Sequence, residues 1–209
     1  NSPRTASRIK ALRSSIIRKL GESTSAPLFG KISLGEDKAD LDAGFFDAAL
    51  IRCGLLPTAR GNKYMEDTIV PALYDVDNVD HSDEMSKARD RIVGFLNCCF
   101  QHVEDSLDDA PEIIDQYILC NRGVYAFICV VGSLNKFLTN QGSVSIETHH
   151  ENRFTLVKPY LTEILNRLKS LKSSDAEKLA KAYGTGGQNY WFMFYQDLVN
   201  KKFPDFEPI

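Results

Sequence analysis

Hydrophobic residues recur at helical spacing along most of the chain, and the densest run lies between Arg122 and Leu138. The apolar face of this run consists of Val124, Phe127, Ile128, Val131, Leu134 and Leu138. These positions follow the i, i+3, i+4, i+7 pattern of a helix that is buried on most of its circumference. The run is too short, and too polar after Gly132, to span a bilayer, which needs about 20 apolar residues. We therefore expect a central core helix at about residues 122–138, with Asn121 as its N-cap.

Further helices, each with one apolar face, are expected on both sides of this core helix. They cover approximately residues 2–20, 43–53, 82–103, 154–171, 174–183 and 190–199. Ser2 and Pro3 would start the first of them, and Pro159 would lie near the first turn of the helix at 154–171. The glycine-rich stretch at 184–187 is expected to turn the chain before the last helix.

A brief extended segment is the only other regular structure that the pattern indicates. Leu28, Ile32 and Leu34 lie in a short apolar run between glycines, which is typical of a small hairpin arm. We expect one short β hairpin near residues 28–41. The predicted fold is therefore mainly α, an irregular multi-helix bundle that forms a single domain over residues 1–209.

The distribution of charged residues along the chain is more informative about function than the net charge is. A net charge of −3 excludes a global basic field that would attract nucleic acid. Residues 1–20, however, contain six basic residues and no acid. The candidate nucleic-acid-binding residues, predicted to lie opposite the apolar stripe of the first helix, are Arg4, Arg8, Arg18 and Lys19. This face either contacts DNA phosphates or is a solvated surface that happens to be basic.

Cysteine usage indicates the compartment. The five cysteines form an odd number, contain no CxxC pair, and lie mostly in or beside apolar helical runs. This argues against a disulfide framework or a zinc ribbon and favours a reducing, cytoplasmic setting without a membrane. Because the chain opens at Asn1 and not at Met, we also expect it to be a fragment of a longer protein.

Catalytic and metal-binding signatures are weak throughout. His149, His150 and Glu151 are adjacent, whereas a metal site needs ligands that converge from several elements. The glycine-rich stretch lacks the Lys-Ser/Thr of a phosphate-binding P-loop. The aromatic run around Trp191 could stack nucleic-acid bases, but it exceeds what one solvent face can hold, so Trp191 is expected in the core. We therefore expect no catalytic residue, no metal and no cofactor.

Three segments together resemble a known family. They are PLFGKISLGED followed by a short helix, NRGVYAF at the entry to the core helix, and GTGGQNYWF before a terminal KFPDF. These segments are similar to the C-terminal helical region of the DGQHR-domain family, bacterial ParB-like proteins that include regulators associated with DNA phosphorothioation. The defining Asp-Gly-Gln-His-Arg motif does not occur in this sequence. The resemblance thus implies that the ParB-like part lies upstream and that its nucleotide or nuclease-like chemistry belongs to no residue here.

These observations lead to one main hypothesis and two alternatives. The main one is a non-catalytic helical module of a DNA-modification or antiviral defence-associated protein, which contacts the DNA backbone or docks a protein partner. The first alternative is a stand-alone helical enzyme domain whose site is formed by loop residues such as Arg60, Lys63 and His149. The second is a pure oligomerisation domain that forms a homo-oligomer.

Overall fold

The helix predicted at residues 122–138 is the centre of the structure, a computed structural model that describes residues 4–35 and 39–206. The helices are α1 (Thr5–Glu22), α2 (Ala43–Arg52), α3 (His81–Ser106), α4 (Pro111–Ile113), α5 (Asn121–Asn140), α6 (His150–Lys169), α7 (Ser173–Lys181) and α8 (Gly184–Asn200). A π-helical segment, Ile114–Ile118, directly continues α4. The strands are β1 (Ile32–Ser33), β2 (Leu41–Asp42), β3 (Ala59–Arg60) and β4 (Lys63–Tyr64). The predicted mainly α fold is confirmed.

Helix α5 is surrounded by other elements. It packs mainly between α2 and α8, with further contacts to the π-helical segment and to α6. Helices α3 and α6 pack against each other, and α1 covers α3 from outside. Of the 20 residues of α5, 14 are buried, as its nearly continuous apolar sequence predicts.

The contact between α2 and α5 is so close that it depends on a glycine. A Cβ atom built on Gly132 would lie far inside van der Waals contact of the carbonyl group of Cys53, the residue that ends α2. Because that neighbour is backbone, it cannot rotate away as a side chain would. Gly132 therefore sets the distance at which α2 packs on the core helix.

The hairpin expected near residues 28–41 is wrong in its pairing. Strands β1 and β2 do pair, but they are parallel, with Ile32 opposite Leu41 and Ser33 opposite Asp42. The paired residues Ile32 and Leu41 both point into the core, where each is at most 4% exposed. A short apolar run in the sequence cannot distinguish a parallel pair of strands from an antiparallel one. The direction of pairing depends on the path of the segment that connects the two strands. The described hairpin lies elsewhere, where β3 and β4 pair antiparallel around Gly61.

Three helix-start predictions also need correction. Helix α8 begins at Gly184, so the glycine-rich stretch at 184–187 forms its first turn and does not turn the chain before it. Helix α6 begins at His150, four residues earlier than predicted, so Pro159 lies inside it and not in its first turn. Cys120, and not Asn121, occupies the N-cap position of α5, because the Asn121 side chain accepts from the backbone amide of Asp42 at 2.8 Å. Asp42 itself caps α2, accepting from the amide of Gly44 at 2.7 Å. Ser2 and Pro3, predicted to start α1, lie outside the described residues.

Across residues 4–35 and 39–206, no single helix is long and apolar enough to cross a membrane. The segments Pro111–Ile118 and Asn121–Asn140 meet the requirement only when joined, and an 83° bend separates them.

Candidate nucleic-acid interface

The predicted two-faced character of α1 is present in the structure. Its buried side carries Ile9, Leu12, Ile16, Ile17 and Leu20, which pack into the core cluster. The opposite side follows the spacing i, i+4, i+7, i+11 and is exposed along its length; we call it the α1 crest, composed of Ser7, Ala11, Ser14 and Arg18. Three of these four residues are small, so few side chains protrude from the helix along the crest.

Basic side chains flank the α1 crest. Arg4, Lys10 and Lys19 are exposed, and among the described residues none of the three has a carboxylate partner. Arg18 lies 72% exposed at 3.7 Å from Glu22, a separation at which an exposed ion pair contributes little. Lys10 is not among the residues predicted from the sequence to bind nucleic acid, although its position beside the crest follows from helical spacing.

Arg8, by contrast, does not lie on the exposed side where the pattern placed it. It is partly buried, and its Nη2 donates to the Thr5 hydroxyl at 3.2 Å. It also lies against the hydroxyl of Tyr74, where its charge partly opposes the rise in the pKa of Tyr74 caused by burial. Arg13 is likewise used internally, because its Nε donates to Asp47 of α2 at 2.7 Å. Of the predicted set, Arg4, Arg18 and Lys19 remain available to a ligand.

The alternative enzyme site is not assembled by any contact that the described residues make. Arg60 and Lys63 are exposed in the β3–β4 hairpin, which attaches to the start of α1 through a hydrogen bond from the Ala6 amide to the Gly61 carbonyl. His149 precedes α6, where its ring stacks on His150 with centroids 4.1 Å apart. The enzyme hypothesis stays a prediction that the geometry does not support.

No metal centre is formed in the part of the chain that the structure describes. There, no three His, Cys, Asp or Glu side chains converge in a way that could hold an ion. The acidic run from Glu104 to Asp115, which begins in the last turn of α3, is partly neutralised by lysines from other elements. Lys31 pairs with Glu104 at 2.8 Å and Lys169 with Asp109 at 2.6 Å. The run therefore helps to attach the β1 region and α6 to the end of α3.

The segments that carried the family resemblance meet at the start of α5. Asn121 binds the backbone of Asp42, which follows PLFGKISLGED. The Arg122 guanidinium donates through Nη1 to the carbonyl of Ala182 and stacks between the rings of Tyr183 and Trp191, at 5.0 and 5.8 Å from their centroids. Arg122 thus connects the start of α5 to the residues around the start of α8. Because these two segments are far apart in the sequence, the sequence alone does not indicate this contact.

Three further features of these segments have structural explanations. A Cβ at Gly123 would overlap the carbonyl group of Tyr117, so only glycine lets the π-helical segment turn into α5. Trp191 is 4% exposed, and its indole nitrogen donates to the Leu179 carbonyl at 3.0 Å, which confirms that it belongs to the core. The terminal KFPDF segment packs through Phe206 against Phe137 of α5, with ring centroids 5.6 Å apart.

Comparison with known proteins adds no relative. No family model, curated protein or solved structure matches this chain.

Proposed function

We propose that this chain is a non-catalytic helical module of a bacterial DNA-modification or defence-associated protein, and that it contacts the phosphate backbone of DNA through α1. The observation that carries the proposal is the α1 crest, which is exposed and consists mostly of small side chains. The cations that flank it lack carboxylate partners among the described residues. The resemblance of the three segments to the DGQHR-domain family supplies the biological setting.

The spacing of the exposed cations suits a backbone ligand. Arg4 and Lys19 are 15 positions apart on α1, or about 22 Å along the helix axis, so they would reach different phosphates. Small side chains on the crest let the sugar-phosphate backbone approach the helix between them. Helix α1 contains no Asn or Gln that could read base edges beside its arginines, so binding should depend on charge and not on sequence.

A salt titration tests the proposal. Binding of a fluorescent duplex should weaken with salt, with a log–log slope of about −0.9 for each phosphate that is neutralised. The double variant Arg4→Glu, Lys19→Glu should flatten that slope by about 1.8, because two phosphate contacts are lost. Neither side chain forms an ion pair with a described residue, so the variant removes charge without breaking an internal contact.

The control variant is Lys178→Glu, Lys181→Glu. It changes the net charge by the same amount on the outer side of α7, where the two side chains are 64% and 78% exposed. The control should retain the slope of the unmodified protein. If both variants weaken binding equally, the protein attracts DNA only through its overall charge, and α1 is a solvated surface.

Partner docking is the second candidate, and one specific observation favours it. Tyr190 and Met193 lie one turn apart on α8 and are 40% and 42% exposed, and Tyr183 just before the helix is 74% exposed. A homo-oligomer that uses this surface would dissociate in the variant Tyr190→Lys, Met193→Lys. Sedimentation of both proteins over a range of concentrations decides this. A monomer at all concentrations in the unmodified protein would eliminate self-association as its role.

A further inference from the structure

A basic cavity lies where the end of α6, the start of α7 and the end of α8 meet. Its volume is about 300 Å³. It is lined by Arg167, Ser170, Leu171, Lys172, Asp175, Leu198 and Lys201. Three of the lining residues are basic and one is acidic, and they come from segments that are up to 34 positions apart in the sequence.

The arginine of this cavity is held in place by a buried carboxylate. Arg167 Nε donates to Glu163 Oε1 at 2.6 Å, and Glu163 is only 8% exposed. The other carboxylate oxygen of Glu163 lies 3.2 Å from Lys202 Nζ. Because the contact uses Nε, the two terminal nitrogens of Arg167 have no acceptor among the described residues. Such a fixed guanidinium can bind a phosphate group through two parallel hydrogen bonds.

The two lysines of the cavity carry charge that the protein does not balance nearby. In the described part of the chain, neither Lys172 nor Lys201 has a carboxylate within ion-pair distance, and Asp175 pairs instead with Lys178 at 3.5 Å. Cations often compensate the negative ends of helices, which explains Arg167 and Lys201 at the ends of α6 and α8. That explanation fails for Lys172, which occupies the N-cap of α7, where the helix dipole disfavours a positive charge.

We propose that the basic cavity binds a phosphate-bearing ligand with at least two negative charges. Arg167 donates to two phosphoryl oxygens, while Lys172 and Lys201 neutralise the charge from the other sides of the cavity. Because Glu163 already pairs with Arg167, the ligand would mainly balance Lys172 and Lys201, neither of which has a carboxylate partner among the described residues. This goes beyond the proposed function, because the cavity residues belong to α6, α7 and α8 and not to α1.

Titration calorimetry with inorganic pyrophosphate at constant ionic strength tests the site without any DNA. The variant Lys172→Gln, Lys201→Gln should raise the dissociation constant at least tenfold, because it removes both uncommitted cations. The matched control Lys10→Gln, Lys19→Gln, with the same loss of charge on the exposed side of α1, should change it less than twofold, because neither lysine contacts a cavity residue. Ser170→Asp, which adds a negative charge to the lining and removes no cation, should also weaken binding.

The titrations can overturn the proposal and can also identify the kind of phosphate ligand. The proposal is overturned if the unmodified protein does not bind pyrophosphate at about 1 mM, or if the control weakens binding as much as the cavity variant does. Thermal melts of each variant show that a lost signal is not lost folding. Displacement of pyrophosphate by a short DNA duplex would identify a nucleic-acid phosphate as the ligand. Continued binding beside the duplex would identify a small phosphate compound, and Arg4→Glu, Lys19→Glu should leave pyrophosphate binding unchanged.

Discussion

Helices α5 and α1 are of similar length but differ in the fraction of their residues that is buried. In α5, 14 of 20 residues are buried, and even its glycines and polar side chains are fixed by neighbouring elements. In α1, 7 of 18 residues are buried, and its outer side is made of small and basic residues that no other element uses. A helix that is surrounded must fit its neighbours at every position, whereas a helix at the surface needs only one matching face.

The comparison shows where a function can reside in this fold. Every polar group of α5 that enters the core has to be hydrogen bonded, so its side chains are committed to structure. Asn135, for example, donates to the Pro71 carbonyl at 2.7 Å and accepts from the buried Arg153. Polar side chains on the outer side of α1 are solvated and need no hydrogen bond within the protein, so substitutions there change charge without disturbing packing. The following predictions test this contrast, from the largest expected effect to the smallest.

The largest effect is expected at Gly132. Replacing it by Ala places a methyl group against the Cys53 carbonyl, so α2 must move away from α5. We expect a loss of about 3 kcal/mol or more in the free energy of unfolding, measured by urea denaturation. The control is Gly186→Ala in the first turn of α8, where a Cβ meets no atom within 4 Å. That change should stabilise the protein by about 0.5–1 kcal/mol through helix propensity. Equal effects at both sites would show that α2 does not press on the core helix.

The second effect concerns Arg153, which is 1% exposed and donates to Asn135 and to the Ser145 carbonyl. Burial, together with the nearby Arg91, lowers the pKa of Arg153 to about 10. Arg153→Met leaves those acceptors buried without donors, which should cost about 2–4 kcal/mol of unfolding free energy. Lys158→Met on the exposed side of the same helix serves as the control, with an expected change below about 0.5 kcal/mol. A tolerated Arg153→Met would mean that water replaces the guanidinium.

A third, smaller effect depends on pH. His102 lies in the core beside Thr162 and Ser106, and burial, together with the charge of Lys158, lowers its pKa from the ordinary value of 6.5. The unfolded chain therefore binds a proton at a higher pH than the folded protein does, so stability is lost as the pH falls below about 6.5. The melting temperature of His102→Gln should decrease less than that of the unmodified protein between about pH 7 and about pH 5.5. Parallel decreases in the two proteins would exclude His102 as a source of the pH dependence.

The smallest effect on stability is expected on the outer side of α1. Arg4→Glu, Lys19→Glu should change the unfolding free energy by no more than about 0.5 kcal/mol, because both side chains are exposed and contact no carboxylate of the described residues. Arg8→Glu should be more harmful, since it removes the hydrogen bond to Thr5 and places a negative charge in a partly buried position. Thermal melts of the two variants compare these positions directly. If Arg8→Glu proves equally harmless, the side chain can leave Tyr74 for solvent at little cost.

The sequence predicts each of these regions to a different degree. The burial of α5 and the core position of Trp191 follow from local patterns, and the structure confirms both. The position of α1's apolar stripe is also correct. The inward turn of Arg8 is not predictable in the same way, because it depends on Tyr74, which is 66 positions away.

Amino-acid order alone determined which segments of this protein are helical and which side of each helix is apolar, because both properties repeat every few residues along the chain. Only the tertiary structure decided that β1 and β2 run parallel, that Arg122 joins the start of α5 to Tyr183 and Trp191, and that Arg167, Lys172 and Lys201 share one cavity. These arrangements unite residues that are distant in the chain. Their geometry depends on how whole helices pack, and helical periodicity contains no information about which neighbour a helix meets.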